Sequence, residues 1–294
     1  WATEPGDGFT NLELARLAVK RHDRQAAVKF YRAAIYGTWE GDGVARRGEV
    51  RLELARYLIA MHDLSVARTE LLITAGNIPD SYASDMTVGQ LLEQVNDPTN
   101  ALVYYRKAIA AKPDDPDALA AAGRIDYNVG DYQNAHRLRA RAQAERASQH
   151  LPAPSADDIT LMPNAERLLQ LMPLHYLPSR VRVGRILADR AIARKRLADC
   201  TAQFPPSIPP PAPLQALTAN WASPDATADA RDLLRDSDLQ DSTMQLVYDT
   251  ETATDKVCTA PTGDDALLLT LANARQINPP SETDSSAPGV VQHP

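Results

Sequence analysis

Apolar positions in the first half of the chain recur at helical spacing, and the same arrangement returns along the sequence. The clearest instance runs from Asn96 to Pro113, where a polar turn precedes apolar residues three and four positions apart. This spacing places side chains on one face of an α-helix. The segment is therefore predicted to form one amphipathic helix that begins after a turn and ends at a proline.

A central alanine marks each recurrence of this pattern. The four alanines are Ala27, Ala67, Ala101 and Ala135, with spacings of 40, 34 and 34 residues. An aspartate stands four residues before each of them: Asp23, Asp63, Asp97 and Asp131. A hydrophobic residue and a small residue stand twelve to thirteen positions before each alanine, as Leu14-Ala15, Leu54-Ala55, Val88-Gly89 and Ala122-Gly123. This period predicts helix–turn–helix units in which small residues allow close helix packing and the aspartate caps the second helix.

These units resemble the tetratricopeptide repeat. The third unit carries the motif residues Val88, Gly89, Leu92, Ala101, Tyr105, Ala108 and Pro113. The second unit departs from the motif at Thr74, and the fourth departs at Asp126 and Arg139. The resemblance covers about residues 8–148 and implies a helical solenoid that binds proteins, because this family shares an architecture rather than a reaction.

The remaining sequence is also predicted to be helical, which makes the expected fold class all-α. Residues 1–150 are assigned to four repeats, and 151–204 to a helical extension that caps them. A proline-rich strut over 205–213, an acidic helical module over 214–277 and an extended tail over 278–294 follow. Trp39 lies in the longer connection between the first two repeats, where we expect it to cover the core; an exposed contact is the alternative.

The resemblance implies that the first helix of each unit lines a concave groove. The corresponding positions here are Arg16, Lys20, Arg56, Gln90, Gln94, Arg124, Tyr127 and Asn128. Three arginines, Arg16, Arg56 and Arg124, occupy the same position in three units. Such a row suits an acidic or extended peptide, because guanidinium groups bind carboxylates with two hydrogen bonds. The alternative is that these arginines pair with neighbouring glutamates such as Glu13 and Glu53.

A basic helix is predicted at about residues 177–202. Between 180 and 196 it holds seven Lys or Arg residues and one acid, Asp189. This face could bind an acidic partner or nucleic acid, could simply be solvated, or could pair with residues 205–294, which hold thirteen acids and four bases. The candidates for self-association are Arg182, Arg185, Arg194, Arg196, Val290 and Val291, the two valines coming from the polar tail.

The two cysteines, Cys200 and Cys258, are predicted to form a disulfide that ties the C-terminal module to the basic helix. Two buried free thiols are the alternative. The chain begins with Trp1, so either a signal segment has been removed or the sequence has been trimmed. Together with the cysteine pair, this indicates an exported protein, periplasmic or extracellular.

Motifs for catalysis, metal binding or cofactor binding are absent from the sequence. The six histidines lack metal-ligand spacing, and no Walker loop, Rossmann glycine run or nucleophile elbow occurs. The net charge of −7 argues against nucleic acid, and no run of eighteen apolar residues could span a membrane. We therefore expect no enzyme activity, no metal, no cofactor and no small-molecule substrate.

Two hypotheses for function follow from this sequence. The first is a structural subunit that associates with copies of itself, in one version head to tail into a filament. The second is a monomeric adaptor that holds a peptide or protein partner in the groove. Both are binding functions, and both expect a protein as the partner; an enzyme with a novel site is the remaining alternative.

Overall fold

A computed structural model of the chain describes residues 6–77, 80–205 and 207–277. Within these ranges every regular element is a helix. The β-type backbone pairing found there is an isolated bridge between Asp7 and Thr38. The all-α prediction is therefore confirmed. The chain divides into two compact units. Unit 1 comprises Trp1–Asn128 and Arg137–Ser155, and unit 2 comprises Val129–His136 and Ala156–Pro294.

Unit 1 is built from consecutive helices joined by short turns. The helices are α1 Gly8–Lys20, α2 Arg24–Tyr36, α3 Gly43–Ala60, α4 Leu64–Ala75, α5 Tyr82–Gln94, α6 Pro98–Ala111 and α7 Pro116–Asn128, followed by α8 Tyr132–Ser148, which crosses the boundary. From α1 to α7 each helix packs against the next, and α3 also contacts α5. Connections of three residues lie at 21–23, 61–63, 95–97 and 129–131.

These four connections share one backbone geometry. The middle residue of each has a positive φ angle: His22 57°, His62 58°, Asn96 58° and Gly130 88°. In the first three, the aspartate that follows donates its N–H to the carbonyl five residues earlier, at 2.9–3.0 Å. This is a common helix ending, in which a left-handed residue turns the chain out of the helix. The regular spacing seen in the sequence therefore corresponds to a repeated turn.

The aspartates of these turns cap the following helix in three of four cases. The carboxylates of Asp23, Asp97 and Asp131 accept hydrogen bonds from the backbone N–H three residues later, at 3.0, 3.3 and 3.1 Å. The expectation for Asp63 is wrong, because its side chain makes no cap hydrogen bond. It pairs instead with Arg24, the first residue of α2, at 2.5 Å. A nearby guanidinium thus replaces the backbone donors.

Small residues allow the helices of unit 1 to approach closely. The central alanines of unit 1, Ala27, Ala67 and Ala101, are fully buried, at 0% exposure, as is Ala135 in the part of α8 that belongs to unit 2. A Cβ added to Gly89 would lie 2.8 Å from Cε1 of Tyr105, which is closer than real Cβ contacts. Trp39 packs against Gly8 and donates its indole N–H to the Ala34 carbonyl at 2.8 Å, so it covers the core as expected.

Unit 2 is organised around two long helices. Its helices are α9 Ala156–Leu171, α10 Ser179–Thr201, α11 Ala212–Trp221, α12 Pro224–Thr227, α13 Ala230–Arg235, α14 Ser237–Val257 and α15 Asp264–Ile277. The central pair is α10 and α14, and α11, α13 and α15 each contact both of them. Pro163 lies inside α9. Pro213, predicted as the end of the strut, lies in the first turn of α11, where a missing N–H is tolerated.

The disulfide prediction is confirmed. Cys200 lies in the last turn of α10, Cys258 directly follows α14, and the two sulfur atoms are bonded, with Cα atoms 5.7 Å apart. The bond therefore joins the ends of the two central helices of unit 2. The tail over 278–294, including the predicted contact residues Val290 and Val291, lies outside the described residues.

Candidate functional site

The residues predicted to line the groove lie mainly at the surface of unit 1. Lys20, Arg56, Gln90, Gln94 and Asn128 are exposed, as is Arg16, whereas Arg124 and Tyr127 are half-buried. Their helices are α1, α3, α5 and α7, the first helix of each predicted unit. The surface position of these residues is compatible with binding, and the charge around each arginine determines what it can bind.

Arg16 is held in a network of three side chains. Its Nε and Nη2 atoms donate to the two carboxylate oxygens of Glu53 on α3, at 2.9 and 2.7 Å, and Nη1 donates to Glu13 at 2.9 Å. The Tyr31 hydroxyl also donates to Glu53, at 2.9 Å. The hydrogen bond from Arg16 is the main cause that lowers the pKa of Glu53. Burial, followed by the bond to Glu53, raises the pKa of Tyr31.

Arg124 lies in a similar network of a glutamate and a tyrosine. Its Nε and Nη2 atoms donate to Glu93 on α5 at 2.8 and 3.0 Å, and the Tyr105 hydroxyl donates to the same carboxylate at 2.9 Å. The carboxylate thus comes from the helix pair before Arg124, whereas Glu53 comes from the pair after Arg16. Both networks join the first helices of neighbouring predicted units. For Arg16 and Arg124 the structure therefore agrees with the alternative given above, in which neighbouring glutamates neutralise the arginines.

Arg56 differs from the other two arginines of the predicted row, because no carboxylate in the described ranges neutralises its charge. Its side chain is exposed and makes no hydrogen bond or ion pair with any residue in the described ranges, as is also true of Lys20. The nearby Arg56 charge contributes to lowering the pKa of Glu53, behind the contributions of Arg16 and Tyr31. Lys20 and Arg56 are therefore the cations in this set that could meet a partner carboxylate without first breaking an ion pair.

A cleft of about 490 Å³ lies beside the Arg16 network in unit 1. Phe9, which is 62% exposed, forms part of its wall together with Trp39 and Val50. Glutamates 40, 49 and 53 supply polar groups in the same cleft. An exposed aromatic ring beside hydrogen-bonding groups is typical of protein-binding surfaces.

The departures from the repeat motif at Asp126 and Arg139 are buried polar positions. Asp126 is 1% exposed, and one of its carboxylate oxygens lies 3.5 Å from Nη2 of Arg106. Arg139 is 5% exposed and donates to the Ala120 carbonyl at 3.2 Å. Buried polar groups require partners, and both side chains have them. The fourth predicted repeat therefore has polar contacts at two positions where the motif has apolar packing.

Much of the charge on the basic helix α10 is used within unit 2. Arg185 donates to the carbonyls of Leu169 and Met172 at the end of α9, the second at 2.8 Å. Arg196 is 7% exposed and donates to the Thr259 carbonyl at 2.5 Å, so it does not form part of the surface. These guanidinium groups bind carbonyl oxygens rather than carboxylates.

Two of the self-association candidates on α10 keep accessible surface. Arg194 is exposed and lies 5.7 Å from the centre of the Trp221 ring, in cation–π geometry. Arg182 is half-buried, and its Nη1 atom reaches only the His175 carbonyl, at 3.5 Å. A contact with a second molecule could therefore involve Arg182 or Arg194, since neither is held by a carboxylate in the described residues.

Two buried carboxylates in unit 2 were not identified as sites from the sequence. Asp189 on α10 and Glu251 on α14 are both 0% exposed, and neither has a hydrogen-bond partner in the described residues. Burial raises the pKa of each to about 8. A signal was present, because Asp189 continues the buried stripe of Val183, Ile186 and Ala193 at helical spacing.

The charges around these carboxylates are mixed. Arg167 lowers and Asp264 raises the pKa of Asp189, and Arg167 itself binds Asp264 through two hydrogen bonds of 2.8 and 2.6 Å. Asp265 raises and Arg196 lowers the pKa of Glu251. Within the described ranges, no group of three or more His, Cys, Asp or Glu side chains is placed to hold a metal ion. Both carboxylates lie in the packed interior of unit 2.

Comparisons with known proteins leave the chain without an assigned family. No family model matches the sequence, and no curated protein matches it. Among the helices of the described residues, none has both the length and the apolar character needed to cross a lipid bilayer.

Proposed function

We propose that the protein is a non-catalytic scaffold of tetratricopeptide-like repeats that mediates protein association, and that its partner is another copy of itself. The observation that carries this proposal is the repeated turn, in which a left-handed residue recurs at 22, 62, 96 and 130. Equivalent turns support helix pairs of one kind, and stacked pairs form the extended surfaces by which repeat proteins bind other polypeptides.

Self-association is supported by the different charge of the two units. Unit 1 offers Lys20 and Arg56 as exposed cations without ion-pair partners in the described residues. The part of the chain over 205–294 carries thirteen acids against four bases. Contact between unlike surfaces of identical molecules is heterologous, and it forms filaments when it does not close into a ring.

We also propose that the protein works in an oxidising compartment outside the cytoplasm. The disulfide between Cys200 and Cys258 supports this location, because such bonds persist in secreted and periplasmic proteins and are rare in the cytosol.

A monomeric adaptor is the second candidate, and the availability of Arg56 together with exposed Phe9 favours it. In that function the row of first helices binds an acidic peptide from another protein. Self-association instead requires that the surfaces of one molecule fit another copy of the same molecule.

Electron microscopy of the purified full chain separates these two functions. Self-association predicts rows or larger particles at high protein concentration, and single particles when residues 278–294 are removed. Uniform single particles of the full chain at every concentration would contradict self-association. Binding of a polyglutamate peptide that is lost in Arg56→Glu, but retained in an Arg180→Glu control, would then support the adaptor.

A further inference from the structure

A second cavity, of about 330 Å³, lies within unit 2. Apolar side chains form much of its wall, including Met172, Ile186, Met244 and Leu271. This volume lies near the lower limit of ligand pockets, about 300–1,000 Å³, so the cavity can receive a few side chains rather than a folded element.

Two guanidinium groups in the cavity wall lack carboxylate partners. The Nε atom of Arg182 is buried and has no hydrogen-bond partner in the described residues, while its Nη1 atom reaches only the His175 carbonyl at 3.5 Å. Arg275 lies over the Tyr248 ring at 5.1 Å and pairs with no carboxylate in the same part of the chain. A buried donor without an acceptor is costly, which indicates that the cavity binds a group that supplies oxygen atoms.

The cavity also contains one acid and one histidine. Asp241 and His175 both line it, and both side chains are exposed. With histidine neutral, two arginines and one aspartate leave the wall with a net positive charge. An acidic segment with an apolar part therefore matches the chemistry of this cavity better than a basic or wholly polar one.

We infer that this cavity binds residues 278–294 of a second copy of the chain, an inference that rests on the proposed self-association. The segment has the carboxylates of Glu282 and Asp284, no Lys or Arg, and the apolar pair Val290-Val291. Its carboxylates complement Arg182 and Arg275, and its valines complement the apolar wall. The cavity therefore supplies the acceptor surface that head-to-tail association requires.

The place where the described chain ends supports this occupant. Helix α15 ends at Ile277, two residues after Arg275, so the segment begins beside the cavity wall. The mixing experiment described below distinguishes a segment that comes from a second copy from the segment of the same chain.

A peptide titration tests recognition by the cavity. The probe is a fluorescein-labelled peptide with the sequence of residues 278–294, and the protein is the full chain carrying Val290→Asp and Val291→Asp. Anisotropy should show saturable binding that falls at least about tenfold in affinity when Arg275→Glu is added. The matched control is Arg180→Glu, an exposed arginine on the same helix as Arg182, which should leave the affinity unchanged.

A charge exchange separates recognition from misfolding. A peptide with Glu282→Lys and Asp284→Lys should bind the Arg275→Glu chain more tightly than the natural peptide does. Restored binding shows that the variant is folded and that Arg275 meets the acidic residues. Equal, weak binding of both peptides to both proteins would overturn the inference.

A mixing experiment tests whether the segment comes from a second copy. One chain carries Arg275→Glu and an intact tail, and the other carries Val290→Asp and Val291→Asp and an intact cavity. Each alone should sediment as a monomer, and the mixture should form dimers but nothing larger. A mixture that stays monomeric would overturn the inference.

The outcomes also distinguish this inference from the proposed function. Assembly that persists in the Arg275→Glu chain would leave self-association in place and exclude the cavity as its site. A wild-type chain that sediments only as a monomer would overturn both.

Discussion

Unit 1 and unit 2 are both helical, but they differ in the sequence range of the contacts that hold them. In unit 1 the ion pairs Arg24–Asp63, Arg16–Glu53 and Arg68–Asp97 join residues 39, 37 and 29 positions apart, close to the repeat spacing. In unit 2 the Arg167–Asp264 pair spans 97 positions and the disulfide spans 58. These ion pairs of unit 1 thus join neighbouring segments of the chain, whereas the quoted contacts of unit 2 join segments that are farther apart in sequence.

The two units also differ in how they bury charge. In unit 1, Glu70 is buried and paired with Arg51 at 2.9 Å. In unit 2, Asp189 and Glu251 are buried without hydrogen bonds to described residues. Burial also raises the pKa of Asp85 in unit 1, but the disulfide and the two acids whose pKa rises to about 8 lie in unit 2. Unit 2 should therefore respond to reduction and to pH more strongly than unit 1.

The largest expected effect is the loss of the disulfide. Replacing Cys200 and Cys258 by serine opens a loop of 58 residues. The free energy of unfolding of unit 2 should fall by about 4 kcal/mol, because the unfolded chain gains conformational entropy. Urea unfolding followed by Trp221 fluorescence, in a background with Trp1→Phe and Trp39→Phe, measures the change.

Unit 1 supplies the control for this experiment. The fluorescence of Trp39, with the other two tryptophans replaced, should show the same unfolding midpoint with and without the cysteines. Equal destabilisation of both units would contradict the assignment of the disulfide to unit 2 alone.

The next effect is the pH dependence of unit 2. The carboxyl group of Asp189 ionises near 3.8 when unfolded and near 8 when folded. Unit 2 should lose stability as pH rises between these values and level off above them, because the unfolded state releases its proton first. Asp189→Asn should reduce this slope and raise the free energy of unfolding at pH 9 by about 2 kcal/mol. The increase is limited because the asparagine amide is also a buried polar group.

Urea unfolding from pH 4 to pH 9 measures this slope. Asp199→Asn is the matched control, since Asp199 is an exposed acid on the same helix. A slope that is unchanged in Asp189→Asn and in Glu251→Gln would contradict the account of the buried carboxylates.

A smaller effect is expected from alanine at two helical glycines. Gly89→Ala in unit 1 should destabilise by about 1–2 kcal/mol, because the new methyl group meets the buried Tyr105 ring. Gly184→Ala in unit 2 has nothing within 4 Å and should stabilise by up to about 1 kcal/mol through helix propensity. Thermal unfolding of the two variants measures both effects, and the same sign in both would contradict the close packing at Gly89.

The smallest effect is expected from the surface ion pairs of unit 1. A double-mutant cycle with Arg16→Met and Glu53→Gln should give a coupling energy below about 1 kcal/mol, because both side chains are partly exposed. The coupling should decrease in high salt, which screens exposed charges. Coupling that is unchanged in salt would show that the pair is better protected from solvent than its exposure indicates.

The parts of unit 1 that the sequence predicts well are those with local causes. His22 and His62 lie in the turns predicted from the aspartate spacing, and both adopt left-handed backbone there. The central alanines and Gly89 were expected between helices, and they are buried there. In each case the turn or the close helix contact involves residues of one or two helices. The sequence therefore shows it as a fixed spacing between residues.

The parts that the sequence missed depend on distant residues. The failure of Asp63 to cap its helix depends on Arg24, 39 positions away. The role of Arg185 at the end of α9 and the burial of Asp189 depend on how several helices of unit 2 pack. The disulfide could be predicted because two cysteines allow only one pairing, whereas the cavity beside Arg275 draws its wall from several separate segments.

Sedimentation equilibrium of the full chain in non-reducing buffer tests self-association most directly. The account predicts a weight-average mass that rises above the monomer mass of 32.1 kDa as the protein concentration increases. A mass of 32.1 kDa at every concentration would contradict it.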